Sequence, residues 1–320
     1  MTTAPDVLVL RTGTHGEPAE DYGAALRERL PDRHVAVART TAEERDLVSD
    51  ARHVTGRGID ASLLERAEEL RVFACGYAGT DHLPMDALAE RDVTVTNAAG
   101  VHGPNVAEQV VGALLAAVRR FHVGERRQRR REWRHYTTHE LQGDTVTIVG
   151  LGAIGTAIAE RLAGFGVETI GVRYTPSKGG PTDEVVGIDD GAAFEDALSR
   201  TDQLVLACPL TEATRGLIGR DELATLPSSA YLVNVARGPV VDTDALVWAL
   251  RRNRLRGAHL DVTDPEPLPA DHPLWSIETV RITPHNAGYT PAYYDRLADI
   301  VAENVRRDER GEPLQNVVSQ

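Results

Sequence analysis

The stretch Val146–Leu162, VTIVGLGAIGTAIAERL, decides the fold of this chain. Its first residues, Val146–Val149, are apolar and rich in β-branched side chains, which predicts a strand buried on both faces. Apolar residues then recur at helical spacing from Ile154 onward, which predicts an amphipathic helix. Three glycines separate the strand from the body of the helix, at Gly150, Gly152 and Gly155. A GxGxxG spacing in that context predicts dinucleotide binding, whereas an ordinary βαβ unit with a glycine turn is the alternative.

Each of the three glycines has its own geometric reason. Gly150 would allow a tight turn, Gly152 would let the backbone approach a pyrophosphate, and Gly155 would let helix and strand pack closely. The helix begins near Ala153 and Ile154, where free N–H groups and the positive end of the helix dipole favour phosphate. We therefore expect these five residues to bind the cofactor.

The composition excludes several classes of protein. The chain has 320 residues, enough for two domains, and its net charge of −13 argues against binding to nucleic acid. No apolar run approaches the ~18 residues of a membrane span, and the N-terminus lacks the basic start of a signal peptide. Cys75 and Cys208 stand far apart, as free thiols do in a reducing compartment. We expect a cytoplasmic protein without membrane or nucleic-acid partners.

The basic residues are almost all arginine. Lys178 is the one lysine among 35 basic residues. An acidic surface poor in lysine is typical of salt adaptation, and a GC-rich genome would produce the same replacement, so both explanations stay open.

Predicted strands and helices alternate along most of the chain, which indicates parallel α/β architecture. The glycine-rich unit lies in the middle, so we expect a dinucleotide-binding domain over 99–286, inserted into a substrate domain formed by 1–98 and 287–320. One long helix is predicted from about Asn105 to Phe121. The last helix is predicted to begin with Thr290 as its N-cap and Pro291 as its first residue.

A strongly basic segment, Glu125–Tyr136, stands out in this acidic chain as ERRQRRREWRHY. It is either a solvated helix end or a contact with an acidic surface of another subunit. We expect a homodimer in which this segment and the long helix before it supply much of the contact, with Trp133 reaching the partner's substrate site.

Three polar residues follow successive predicted strands: Arg237 after LVNVA, Glu266 after HLDVTDP and His285 after RITP. Ligands of open α/β sheets bind at the carboxyl ends of the strands. Each residue alone has an ordinary explanation in a surface pair, a solvated carboxylate or a hydrogen-bonded histidine. Together they supply an anion clamp, a carboxylate and a titratable imidazole, which are the groups needed to reduce a 2-oxo acid beside a nicotinamide.

The chain resembles the D-isomer-specific 2-hydroxyacid dehydrogenases over nearly its whole length. VGLGAIG resembles that family's cofactor loop, NVARGPVVD its arginine segment, AHLDVTDPEPLP its Asp-then-Glu segment and TPHNAGYT its histidine segment. YAGTDHLP, at 77–84, resembles the substrate-domain loop, and GEPLQNVV resembles the C-terminal close. The resemblance implies an α/β fold of two parallel-sheet domains, one Rossmann-like and one flavodoxin-like.

The resemblance also implies catalytic roles. Arg237 would hold the substrate carboxylate and polarise the carbonyl with its planar fork. His285 would protonate the carbonyl oxygen as hydride arrives, and Glu266 would fix its tautomer and stabilise the imidazolium. On the substrate side the family pattern implies Tyr77 together with the main-chain N–H groups of Ala78 and Gly79.

Further residues would contact the cofactor. The resemblance implies that Asp261 meets the nicotinamide carboxamide. Other residues would line the cofactor, with Cys208 as a backbone contact rather than a nucleophile: Cys208, Pro209, Thr214 and Ala236.

The second strand of the dinucleotide unit bears on the choice between NAD and NADP. NAD-preferring relatives carry an acid at its end that binds the ribose hydroxyls. Arg173 holds that place here, and no carboxylate follows before Asp183. An arginine can pair with a 2′-phosphate, and Ser177 and Lys178 add a hydroxyl and a second cation. We expect NADP to be preferred and NAD to remain possible.

Other members of the fold provide alternatives. Formate dehydrogenases carry a glutamine as the histidine's partner, where this chain has Glu266, and long 3-phosphoglycerate dehydrogenases carry a regulatory domain beyond the point where this sequence ends. A corepressor-like protein that senses NAD(P) can keep the whole Arg/Glu/His set, so binding without turnover stays open. The substrate side chain is equally open among glyoxylate, hydroxypyruvate, pyruvate and branched 2-oxo acids.

Overall fold

Short apolar runs form two sheets, all of whose strand pairs are parallel, in the computed structural model, which describes residues 4–14, 16–80 and 82–318. Numbered in chain order, the strands are β1 Val7–Val9, β2 Val35–Val37, β3 His53–Gly56, β4 Val72–Cys75, β5 Thr94–Thr96, β6 Thr145–Val149, β7 Glu168–Arg173, β8 Glu184–Gly187, β9 Gln203–Leu206, β10 Tyr231–Asn234, β11 Gly257–Leu260 and β12 Val280–Ile282. The α-helices are α1 Ala19–Arg29, α2 Thr41–Leu47, α3 Ala61–Leu64, α4 Met85–Ala89, α5 Gly103–Val118, α6 Phe121–Arg129, α7 Ala153–Leu162, α8 Gly191–Ser199, α9 Arg220–Thr225, α10 Thr243–Arg251 and α11 Tyr293–Arg310.

The first compact unit comprises Met1–Val101 and Tyr289–Gln320. The five strands among its described residues lie in the order β2-β1-β3-β4-β5, the flavodoxin-like order of a doubly wound sheet. One apolar cluster joins α1 and α11 to the sheet through residues such as Leu26 and Leu297. A second apolar cluster in the core of the same unit includes Phe73 and Leu88.

The second unit comprises His102–Gly288 and holds the glycine-rich segment. Its seven strands lie in the order β12-β11-β10-β9-β6-β7-β8. The order reverses between β6 and β9, which is the topological switch point where sheets of this kind bind their ligands. Helices α5 and α7 pack on each other above β6 in one apolar cluster, while α8, α9 and α10 contribute to another. The fold class expected from the sequence is confirmed.

Two local expectations were wrong, and one strand was not predicted. The long helix ends at Val118, because Arg120 adopts a left-handed conformation with φ 51° and α6 starts afresh at Phe121. The last helix begins at Tyr293, because Thr290 and Pro291 form a turn in which the Thr290 carbonyl accepts from the Tyr293 N–H. The edge strand β8 carries too little apolar alternation to be predicted. Among the described residues, no helix is long and apolar enough to cross a membrane.

Candidate active site

The glycine loop has the close contacts that its sequence predicts. Gly150 has φ 98°, and a Cβ there would lie 2.7 Å from the backbone of Cys208 at the end of β9. A Cβ on Gly155 would lie 1.8 Å from the Gly150 carbonyl oxygen, so only glycine lets α7 pack this closely on the loop. Strand β6, loop and helix are thereby fixed at the switch point of the sheet.

Gly152 differs from its two neighbours because a Cβ there would meet no heavy atom of the described chain within 4 Å. It precedes α7, whose first residues are Ala153 and Ile154, and the first N–H groups of a helix have no partner within the helix. The open backbone beside a helix N-terminus is the shape and polarity that a pyrophosphate requires. These residues fit a dinucleotide.

Arg173 is the last residue of β7, the neighbour of β6. Its guanidinium donates to the carbonyl oxygen of Gly179 at 2.5 Å, and among the described residues it forms no ion pair. Asp183, the next carboxylate along the chain, accepts from the N–H and the hydroxyl of Thr169 at the opposite end of the strand. The end of the second strand therefore carries positive charge.

The loop after β9 is held by one buried hydroxyl. Thr214 donates to the carbonyl of Pro209 at 2.6 Å and accepts from the Thr211 N–H at 2.8 Å. Cys208 is buried at the start of this loop, and burial raises the pKa of its thiol to about 11. The thiol is protonated at neutral pH, which agrees with a packing role and not with a nucleophile.

The strands that carry the three polar residues end level with one another. Asn234 at the end of β10 pairs in register with Leu260 of β11, which pairs with Ile282 of β12. Arg237 follows three residues after β10 and is exposed. The turn that presents it is shaped by Asn234, whose amide accepts from the Ala236 N–H and donates to the Arg237 carbonyl.

Gly238 brings the arginine turn against the loop that follows β11. A Cβ at this position would lie 2.0 Å from the Thr263 carbonyl oxygen, so no larger residue fits without a backbone shift. Arg237 itself donates to the Ala236 carbonyl at 2.7 Å. No described hydrogen bond or ion pair joins Arg237 to Glu266 or His285.

His285 and Glu266 do meet, with His285 Nδ1 3.0 Å from Glu266 Oε2. Both side chains are partly open to solvent, 52% and 40% exposed. The other carboxylate oxygen of Glu266 accepts from the Thr263 N–H at 3.0 Å, which fixes the carboxylate plane. The pair therefore leaves Nε2 as the imidazole nitrogen that Glu266 does not occupy.

Asp261 is buried beneath this pair and holds the loop that carries His285. Its carboxylate accepts from the Thr283 hydroxyl at 2.5 Å and from the N–H groups of Asn286 and Ala287 at 2.9 and 3.0 Å. Its own carbonyl accepts from the His285 N–H at 2.7 Å. Thr283 and Asn234 were not singled out from the sequence, because each acts on the backbone of a loop whose path the sequence does not reveal.

The remaining candidate residues lie in the first unit, in the loop after β4. The Tyr77 N–H donates to the thiol of buried Cys75, and the Asn97 amide donates to the Ala78 carbonyl at 2.7 Å. The N–H groups of Ala78 and Gly79 donate to no described residue. The guanidinium of Arg57 lies over the Tyr77 ring at 5.4 Å. Asp81, which falls within the same motif, lies outside the described residues.

Comparison with known proteins identifies the family to which the chain belongs. Residues 111–287 match the family described as D-isomer specific 2-hydroxyacid dehydrogenase, NAD binding domain. A glyoxylate reductase of Thermofilum pendens is 36% identical over 79% of this chain and 76% of its own length. The chain therefore belongs to the D-isomer specific 2-hydroxyacid dehydrogenase family, and its central unit is an NAD-binding domain.

The chain is also similar to a longer relative and to a protein whose structure was solved with a bound cofactor. A D-3-phosphoglycerate dehydrogenase of Methanocaldococcus jannaschii is 32% identical over 95% of this chain, which spans 58% of that relative's length. The crystal structure of a D-isomer specific 2-hydroxyacid dehydrogenase from Xanthobacter autotrophicus, in complex with NADPH and MES, is 31% identical. It has a TM-score of 0.80 and covers 99% of this chain and 98% of its own.

Proposed function

We propose that this protein is a D-2-hydroxyacid dehydrogenase that reduces a small 2-oxo acid with NAD(P)H. The observation that carries the proposal is the His285–Glu266 pair, joined at 3.0 Å beyond the carboxyl ends of β11 and β12. A bound nicotinamide would supply the hydride. The chain's own residues would bind the acid, orient it and move the proton.

His285 would act as the general acid. Protonated at both nitrogens, it donates one proton to Glu266 and holds the other at Nε2 for the carbonyl oxygen of the substrate. As the carbonyl carbon gains the hydride, its oxygen takes the Nε2 proton and becomes the hydroxyl of the product. In the reverse direction the neutral imidazole takes that proton back.

Arg237 would bind the substrate carboxylate. A guanidinium presents paired donors that match a carboxylate, and Arg237 is exposed with one N–H donating to its neighbour's carbonyl. In the first unit, the N–H groups of Ala78 and Gly79 donate to no described residue, and the family pattern supports them as substrate-binding groups. Tyr77 would contact the remainder of the substrate.

We propose that NADPH is preferred over NADH, because Arg173 stands where a ribose-binding acid would repel the 2′-phosphate. The cofactor would lie along Gly150 to Gly155, with Cys208, Pro209, Thr214, Ala236 and Asp261 beside it. The NADPH named for the Xanthobacter autotrophicus relative is consistent with this preference.

We also propose a homodimer that uses α5, α6 and the basic segment after them. Arg127 donates to the carbonyls of Arg134 and His135 at 2.5 and 2.6 Å, which folds residues 130–136 back along α6. This leaves Trp133 fully exposed. An exposed tryptophan on a cationic segment is typical of an interface, and the acidic remainder of a second copy supplies the complementary charge.

The test is turnover of NADPH and NADH with a panel of 2-oxo acids that includes glyoxylate, hydroxypyruvate, pyruvate and branched acids. Steady oxidation of the cofactor with at least one acid supports the enzyme. Tight binding of NADPH with no turnover across the panel would instead support a sensor or corepressor of the same fold.

A further inference from the structure

A second histidine lies beneath the loop that carries His285. His259 is the third residue of β11, is only 8% exposed, and stands two residues before Asp261 on the same face of the strand. Its Nε2 lies 3.3 Å from the Thr283 hydroxyl and 3.2 Å from the amide nitrogen of Gln109 on α5. The Gln109 amide nitrogen is also 3.4 Å from that hydroxyl, so the three groups form a closed triangle.

The single proton of the Thr283 hydroxyl decides the direction of the hydrogen bonds in this triangle. A hydroxyl has one proton, and Thr283 donates it to the anionic Asp261 at 2.5 Å. Its oxygen is left to accept. The amide nitrogen of Gln109 carries two protons, so it can donate one to the Thr283 hydroxyl oxygen and the other to Nε2 of the neutral His259 ring. His259 thereby orients the Gln109 amide, which in turn orients the hydroxyl that donates to Asp261.

What Asp261 holds is the backbone of the reacting histidine. His285 has φ 53°, in the left-handed region, which is unfavourable for a residue with a Cβ. Such a conformation persists only where the surroundings impose it. Here the Asp261 carbonyl accepts from the His285 N–H, and its carboxylate accepts from the N–H groups of Asn286 and Ala287, so the loop follows the position of this one residue.

Helix α5 holds the same loop from its other side. Asn105 donates to the Ala287 carbonyl at 2.6 Å, and Gln109 lies four residues later, on the same face of the helix. The loop is therefore fixed by a helix on one side and by a strand on the other, with His259 between them.

We propose that His259 is a positioning residue for His285, acting through Gln109, Thr283 and Asp261 to hold the imidazole in its hydrogen bond with Glu266. The proposal rests on the proposed function for its effect on turnover, and on geometry alone for its effect on the loop. By this proposal, His259, a buried residue of β11, helps to set the position of His285, the proposed general acid.

Two replacements of His259 separate the hydrogen bond from the volume of the ring. His259→Leu removes the acceptor, and His259→Gln keeps an amide oxygen, which can accept, close to the place of Nε2. We expect His259→Leu to lower kcat about tenfold, since misplacing a reacting group by a fraction of an ångström has effects on that order. The Kd for NADPH should change by less than about twofold, and His259→Gln should recover most of the lost kcat.

Thr147→Val is the matched control. It removes a buried hydrogen bond of the same unit, from Thr147 on β6 to Thr201 at 2.6 Å, and touches nothing in the His285 loop. Its kcat should equal that of the wild type. Thr283→Val cuts the same link one step further on, so combining it with His259→Leu should cause no further loss.

An NMR readout is independent of turnover. In the apoprotein the His285 Nδ1 signal should show the hydrogen bond to Glu266 in the wild type, in His259→Gln and in the control, and should lose it in His259→Leu. An enzyme inactive with every 2-oxo acid would refute the proposed function and leave this comparison intact. If His259→Leu fails to fold, Thr283→Val against Thr147→Val gives the same comparison.

Three results would overturn the proposal. The first is a His259→Leu protein with wild-type kcat and a wild-type His285 signal. The second is equal behaviour of the Leu and Gln variants, which would mean that the hydrogen-bond acceptor at position 259 is irrelevant. The third is a double variant in which the losses from His259 and Thr283 multiply.

Discussion

Replacing Arg173 tests how the protein would choose its cofactor. The side chain ends β7 beside the glycine loop, and one of its five N–H donors is engaged by the Gly179 carbonyl. The other four are available to a 2′-phosphate, and no described carboxylate competes for them. The charge of this one side chain should therefore decide much of the preference.

The magnitude follows from the contacts that would be lost. A hydrogen bond between charged groups contributes about 1.5–3 kcal/mol, so Arg173→Gln should lower the NADPH to NADH ratio of kcat/KM by roughly 10- to 150-fold. Arg173→Asp adds a like charge near the phosphate, worth about 1 kcal/mol at 4 Å in water, or roughly a further fivefold. The Asp variant should consequently favour NADH.

The assay is initial-rate kinetics with both cofactors and one 2-oxo acid, at low and at high salt. Salt should narrow the gap, because exposed charges are screened within about 10 Å at 0.1 M ionic strength. Lys178→Gln, which removes the nearby lysine, should have a smaller effect than either Arg173 variant. A wild-type enzyme that favours NADH, or a ratio unchanged in Arg173→Asp, would refute Arg173 as the phosphate-reading residue.

Three further predictions concern the acid, the buried histidine and the assembly. Glu266→Gln removes the carboxylate that lies 3.0 Å from His285 Nδ1, so kcat for reduction should fall while the Kd for NADPH stays unchanged; an unchanged kcat would show that Glu266 does not act on His285. Burial lowers the pKa of His259, so below about pH 6.5 the unfolded chain binds a proton there more readily than the folded protein, and the wild type loses stability. His259→Gln has no titratable group at this position and should not lose stability in this way. Denaturation at several pH values gives the free energy of unfolding of the wild type minus that of the variant. This difference should be constant above about pH 6.5 and should fall by up to about 1.4 kcal/mol per pH unit below it. A difference that stays constant at every pH would contradict a neutral buried ring. Light scattering at micromolar concentration should give a dimer that Trp133→Glu weakens, and a monomeric wild type would disprove the assembly.

The sequence predicted those parts of the molecule that depend on local pattern. The glycines at 150 and 155 require close backbone contacts, and both contacts are found in the structure. The positions of Arg237, Glu266 and His285 after successive strands follow from the βα rhythm, because parallel strands place their carboxyl ends on one edge. The His285–Glu266 contact was expected from the family resemblance, and in the structure His285 Nδ1 lies 3.0 Å from Glu266 Oε2.

What could not be predicted depends on contacts between distant segments. Helix α5 is followed by Arg120 in the left-handed conformation. Arginine has no particular preference for that conformation, so the sequence gives no sign of the break. His259 looks like one more residue of a buried strand, and its place beside Thr283 and Gln109 arises only when β11, β12 and α5 pack together. Asn234 and Gly238 likewise matter through the backbone atoms that they approach, which lie in other loops.

The measurement that tests the central claim most directly is the kcat of His285→Gln for NADPH-dependent reduction of the best 2-oxo acid. Loss of a general acid lowers the rate by about 100-fold or more, so kcat should fall at least that far while the Kd for NADPH stays near the wild-type value. His139→Gln, which replaces an exposed histidine of the same unit, is the control and should keep full activity. A His285→Gln enzyme with near-normal kcat would contradict the assignment of His285 as the proton donor.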